Sequence, residues 1–243
     1  MHPEICKLGP FTIYSYGLML VIAFMVSTFL AGRAAKKNGI DPDIIFNLCF
    51  VVFISGIIGA RVFYVASNWS YYLNNLPEMI MLQKGGLAWF GGLIAGVFCG
   101  IFYLKVKKLA VLKIGDLIAP FVVLAQAIGR LGCFLNGCCY GKESAFGIYS
   151  AQQEATLIPT QLYSSLLLVL IFIILRVLQE RPHKTGQIFF AYLLLYSAKR
   201  FFMEFWRGDS PSFLSQLTLF QLISIVIFLI AAAGLVIIKK RKG

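Results

Sequence analysis

Seven apolar runs, each close to twenty residues, decide what this chain can fold into; they cover about 11–32, 44–66, 86–104, 114–133, 160–178, 186–205 and 217–238. A helix needs about 20 residues to cross roughly 30 Å of hydrocarbon. In lipid such a segment must satisfy its own backbone, which restricts it to helix or closed barrel. The composition agrees, with 59% of the 243 residues hydrophobic, 13% charged and a mean hydropathy of +0.82. A soluble domain sits nearer 45–50% apolar and about 25% charged. The expected fold is therefore all-α: a polytopic integral membrane protein with about seven transmembrane helices. With no long polar stretch, residues 1–243 form a single domain. The first run is too long for a signal peptide and lacks a small-residue cleavage site, so it is read as a span.

The net charge of +12 would suggest a nucleic-acid partner in a soluble chain. Its distribution gives another explanation. Arg33, Lys36 and Lys37 follow the first run, Lys105, Lys107, Lys108 and Lys113 the third, Arg176, Arg181 and Lys184 the fifth, and Lys239, Lys240, Arg241 and Lys242 the last. The alternate loops carry only Lys84, Lys142 and Arg207. Cytoplasmic loops are the basic ones, so the N-terminus is expected outside and the C-terminus in the cytoplasm. No nucleic acid is expected.

On that orientation the polar residues left over fall on one side. Arg61 lies near the outer end of the second run, and Gly91-Gly92 near the outer start of the third. Arg130 and Asn136 close the fourth, Gln161 and Tyr163 open the fifth, and Arg200, Glu204 and Arg207 close the sixth. Residues so distant in sequence, gathered at one depth, suggest a single polar cavity open to the outer leaflet.

The densest stretch is Gly129-Arg130-Leu-Gly132-Cys133-Phe-Leu-Asn136-Gly137-Cys138-Cys139-Tyr-Gly141-Lys142. A charge where hydrocarbon gives way to water marks a functional site by default. Arginine suits phosphate because its fork donates charge-assisted bonds in pairs. The phosphates available there are phospholipid head groups. Any one of Arg61, Arg130 and Arg200, taken alone, reads equally well as an interfacial anchor. Arg200 and Glu204, four apart on a helix, can pair. Gly91-Gly92, with Gly56, Gly59, Gly96 and Gly100, reads first as a helix-packing seam. Trp69, Tyr71 and Tyr72 fit an interfacial aromatic belt.

The six cysteines are Cys6, Cys49, Cys99, Cys133, Cys138 and Cys139, and none has CxxC spacing. His2 and His183 lie far from the last three. No metal is expected. A disulfide within Cys133, Cys138 and Cys139, or from that group to Cys6, stands beside buried thiols as an equal alternative.

These residues, in order, resemble the prolipoprotein diacylglyceryl transferase family across almost the whole chain. The resemblance rests on Tyr16-Gly-Leu-Met19, Gly59-Ala-Arg61, Gly91-Gly92-Leu-Ile94, Gly115-Asp116 to Pro120, Gly129-Arg130-Leu-Gly132, Gln161-Leu-Tyr163 and Arg200-Phe-Phe-Met-Glu204-Phe-Trp-Arg207. It implies a monomeric, multi-pass enzyme of the bacterial plasma membrane, with no cofactor. Such an enzyme moves a diacylglyceryl group from phosphatidylglycerol to a cysteine thiol of a prolipoprotein, recognised through its signal peptide. The implied catalytic residues are Arg130, Arg200, Glu204 and Tyr16. Arg61, Tyr64, Gly91, Gly92, Asn136, Gly141, Gln161, Tyr163 and Arg207 are the implied substrate contacts. The chain departs from the family pattern at Phe90, usually His or Tyr, and at Cys133, usually Asn. It departs again at Cys138, often Glu, and at Ser164, often Glu. A paralogue with a different acceptor, or one that only binds lipid, is the second reading, and a small-solute transporter the third.

Overall fold

The computed structural model describes residues 4–8, 11–81, 85–208, 212–214 and 217–240. His2, Lys84, Asp209, Arg241 and Lys242, and the side chain of Cys6, lie outside the described residues. The long helices are α1 (Ser15–Lys37), α2 (Pro42–Ser67), α4 (Trp89–Val106), α5 (Val111–Asn136), α6 (Thr160–Glu180), α7 (Gln187–Glu204) and α8 (Leu219–Lys240). A single turn, α3 (Trp69–Tyr72), follows α2. Each expected apolar run has become a helix.

Six of these helices, all but α7 among the long ones, are long and apolar enough to cross a membrane. The chain is an all-α, multi-pass membrane protein. Helix α7 is set apart by Lys199, Arg200 and Glu204, three charges within its 18 residues. Short hairpins were not expected. Strands β1 (Glu4–Leu8) and β2 (Phe11–Tyr14) pair before α1, so the first helix starts four residues later than its apolar run. Strands β3 (Glu143–Ser150) and β4 (Ala155–Leu157) pair between α5 and α6, and β5 (Ser212–Leu214) with β6 (Leu217–Thr218) between α7 and α8.

Local chemistry sets the helix ends. The Asp41 carboxylate accepts from the Asp43 N–H at 3.0 Å, and Pro42 follows it at the first helical position; an aspartate cap with proline at N1 is a preferred helix start. Lys36 and Lys37 end α1, and Lys239 and Lys240 end α8, cations where the helix dipole is negative.

The chain forms two compact units, residues 32–111 and residues 1–31 with 112–243. In the smaller unit α2 lies against α4 along the glycine seam. A Cβ on Gly59 would sit 2.6 Å from the Gly91 carbonyl oxygen, and one on Gly91 2.4 Å from that of Gly59. Small residues let backbones approach this closely, which is what holds helices together where lipid is as apolar as the side chains.

In the larger unit Ala119, Val123 and Ala127 of α5 pack with Leu168, Ile171 and Leu175 of α6 and Ile188 of α7. Polar contacts fix the register. Ser165 donates to the Ala127 carbonyl at 2.9 Å, Gln179 to those of Asp116 and Leu117, and Gln126 to the Tyr192 hydroxyl. Asp116 accepts from the Gly186 and Phe189 N–H groups, so a residue of α5 caps the start of α7. Large apolar side chains on the outside, such as Phe98, Leu166 and Met25, are left for lipid.

Candidate active site

The end of α5 is where the larger unit gathers its unusual chemistry. Helix α1 meets it closely: a Cβ on Gly132 would lie 2.9 Å from Met19 and 3.4 Å from the Tyr16 ring. Tyr16 is thereby brought within electrostatic range of Arg130 and of Cys133, Cys138 and Cys139. After Asn136 the chain turns sharply, with Gly137 at φ 73° and Cys139 at φ 63°. The start of α6 holds this turn, since the Thr160 hydroxyl donates to the Cys139 carbonyl and the Gln161 amide to that of Cys138, both at 2.8 Å.

The next residues tie three elements together. Gly141 donates to Ile158, Lys142 to Trp206 and Gly208 to Tyr140, while Gly141 bridges Arg207. Side chains are excluded at Gly141, where a Cβ would lie 2.8 Å from both Ile158 and Thr160. The end of α7 is thus held beside the end of α5.

Among the described residues, four cations and one carboxylate meet there. Arg200 Nη1 lies 3.0 Å from Glu204 Oε2, and Arg207 Nε 4.0 Å from the same oxygen. The other oxygen, Oε1, accepts from Thr218 at 2.9 Å. The Arg200 contact is ionic: Oε2 makes no directed hydrogen bond. The Arg200 guanidinium also stacks on Phe220, 4.6 Å from its centroid, a cation–π contact. Lys199 is buried against the Tyr196 ring and within range of Arg130, Arg200 and Arg207. Half-buried Arg130 makes no hydrogen bond or ion pair among the described residues. An unpaired guanidinium out of bulk water is costly unless an anion joins it.

Gln161 is buried with its Oε1 lacking a donor among the described residues. Tyr163 is half exposed on the same first turn of α6, and Asn136 is the last residue of α5.

The smaller unit holds Arg61, Tyr64, Gly91 and Gly92, and here the expectation for Arg61 changes. Arg61 is 6% exposed, and all five N–H groups of its guanidinium are used. Nε donates to Met79, Nη1 to Gly85 and Gly86, and Nη2 to Glu78 and Met81, each to a backbone carbonyl. With five donors in all, none remains for a phosphate in this arrangement. The rings of Tyr64 and Tyr72 flank it at 5.9 and 5.6 Å. Tyr72 is accordingly buried, whereas Trp69 and Tyr71 stay exposed as belt residues should. Gly91 and Gly92 face Gly59, Gly56 and Ala60, which makes them seam residues.

Comparison with known proteins settles the family. The prolipoprotein diacylglyceryl transferase family matches residues 3–237. The chain belongs to that family. It is 37% identical over 243 residues to the phosphatidylglycerol–prolipoprotein diacylglyceryl transferase of Staphylococcus epidermidis (strain ATCC 12228), covering 95% of this chain and 87% of the relative. It is 36% identical over 249 residues to that of Staphylococcus aureus (strain MSSA476), covering 97% and 88%.

Within this diacylglyceryl transferase family member the departures from pattern have definite places. Phe90 lies edge-on to Trp89 at the start of α4, with centroids 5.1 Å apart. Ser164 is buried on α6. Cys133 and Cys138 share one cluster with Cys139, and all three are unbonded thiols. Lys199 was missed in the sequence because a lysine beside Arg200 near a helix end reads as one more snorkelling tail. Its signal was the lack of any nearby acidic residue except Glu204, which Arg200 and Arg207 already claim.

Proposed function

We propose that this protein transfers the diacylglyceryl group of phosphatidylglycerol to the thiol of a cysteine behind a prolipoprotein signal peptide. It acts as a monomer at the outer face of the bacterial plasma membrane, with the N-terminus outside. One observation carries the reading. Arg130, without a partner among the described residues, stands with Lys199, Arg200 and Arg207 around a single carboxylate. That surplus of positive charge suits the phosphodiester of an anionic lipid.

The chemistry is a displacement at the glyceryl carbon. The acceptor sulfur forms a C–S bond as the C–O bond to phosphate breaks, and glycerol phosphate leaves with the electron pair. Its phosphate passes from one negative charge towards two, so Arg130 gains most in the transition state, where such interactions accelerate reactions. Glu204, closed in by Arg200, Arg207 and Thr218, acts as the counter-charge that orients both guanidinia. The thiol proton passes to the departing phosphate, relayed by the Tyr16 hydroxyl beside Arg130. Gln161 Oε1 accepts from a head-group hydroxyl, with Tyr163 and Asn136 at the rim. Gly141, Gly91 and Gly92 act by letting backbones close up, and Arg61 and Tyr64 by holding the backbone at Glu78, Met79, Met81, Gly85 and Gly86.

The test uses the detergent-purified protein with phosphatidylglycerol and a prolipoprotein substrate. Thioether formation, read by mass, should match glycerol phosphate release one for one. Release without thioether would assign a different acceptor, and neither product would overturn the reading.

A further inference from the structure

Three thiols of this chain converge on one point. The Sγ atoms of Cys133, Cys138 and Cys139 all lie within 4.8 Å of one another. We infer that they form a binding site for a thiophilic divalent cation, Zn²⁺, held by three protein sulfurs with its fourth position open.

The geometry needs little adjustment. Zinc–sulfur bonds of about 2.3 Å in a tetrahedron place the sulfurs about 3.8 Å apart, so closing the cluster moves each pair by about 1 Å or less. The backbone is already shaped for it. Cys139 takes a left-handed φ of 63°, which a β-carbon disfavours and which persists only where the surroundings fix it. Here Thr160 and Gln161 fix it by holding the carbonyls of Cys139 and Cys138. The Cys138 N–H donates to the Cys133 carbonyl at 3.1 Å, which folds the loop back on the helix end.

Charge points the same way. Loading breaks three S–H bonds, sends three protons to solvent and leaves a zinc tris-thiolate of net charge −1, with no electron transferred. Arg130 and Arg207 both act electrostatically on Cys139. Among the described residues the surrounding group has three more cations than carboxylates, so one phosphodiester leaves positive charge over for this second anion. An open fourth position is what distinguishes reactive zinc sites from closed structural ones.

The site does not depend on the transfer reading, and its test measures the metal directly. The full-length protein, purified in detergent with reductant and without chelator, should carry one Zn²⁺ per chain by elemental mass spectrometry. Replacement by Co²⁺ should give a near-ultraviolet thiolate charge-transfer band. Cys133→Ser, Cys138→Ser and Cys139→Ser should each lose the metal, whereas Cys49→Ser and Cys99→Ser should keep it. In the unaltered protein, added Zn²⁺ should protect the three thiols from maleimide and a chelator should expose them, which guards against variants that misfold. Background zinc after loading, or zinc retained without all three cysteines, would overturn the proposal. So would a mass two hydrogens short under non-reducing conditions, which would make the cluster a disulfide and a thiol.

Discussion

Arg200 and Glu204 meet at 3.0 Å one turn apart on α7, and Thr218 closes the far side of the same carboxylate. Removing one partner of a buried pair leaves the other charge unpaired, which costs roughly 3–5 kcal/mol. Glu204→Gln should therefore lower the melting temperature in detergent and abolish transfer. An unchanged melting temperature would show that the pair contributes nothing to the fold.

Arg130 and Arg61 should behave oppositely. Arg130 makes no ion pair among the described residues, so Arg130→Ala removes an unpaired charge and should not lower stability, while reducing turnover by at least ~100-fold. Arg61 holds five carbonyls, and Arg61→Lys removes two of its five donors. Limited proteolysis should then cut faster at Glu78–Met81, whose carbonyls Arg61 holds. Equal effects of both substitutions on proteolysis would defeat this division of labour.

Lys199 is buried without an acidic partner of its own among the described residues. Lys199→Met should raise stability by roughly 1 kcal/mol or more, because an uncompensated buried charge is replaced by packing. It should also raise KM for phosphatidylglycerol with little change in kcat. A fall in the melting temperature would mean that Lys199 has a structural anion partner.

At the α2–α4 seam, Gly91→Ala would force a β-carbon to within 2.3 Å of the Phe63 side chain and 2.4 Å of the Gly59 carbonyl. The helices must separate, and overpacking of this kind costs about 1–3 kcal/mol. Thermal unfolding of the purified variant measures the loss. Gly129→Ala, where a β-carbon meets nothing within 4 Å, is the control.

The neighbouring Cys133 and Cys138 thiols, together with Arg130 and Arg207, hold Cys139 well below the ordinary thiol range. A depressed value keeps the thiolate present as pH falls. Alkylation of Cys139 in metal-free protein should accordingly continue at pH values where an ordinary cysteine has stopped reacting. Parallel loss with a model thiol would refute the assignment.

The spans were legible because period and length need no partner: an apolar run of twenty residues is a helix in lipid whatever surrounds it. The Arg200–Glu204 pair was legible for the same reason, as a spacing within one helix. Arg61 was not, because the five carbonyls it holds belong to a loop 17 to 25 residues further on, and nothing local announces them. The cysteine cluster was hidden by its spacing. A C-x₄-C-C pattern brings three sulfurs together only once Gly137 and Cys139 take positive φ. Hairpin β1–β2 went unread because its second strand shares its apolar residues with the run that becomes α1.

The carboxylate of Asp116 that receives Gly186 and Phe189 also orders events during synthesis. Asp116 leaves the ribosome 70 residues before Gly186, so the acceptor is in place before its donors exist. Until α7 arrives, α5 carries a charge with its hydrogen bonds unmade, and the hairpin of α5 with α6 is an unfinished product. Arrival of α7 completes it and, in the same movement, delivers Lys199, Arg200 and Glu204 to Arg130. A chain that stopped after α6 would keep the Asp116 carboxylate without either of these donors.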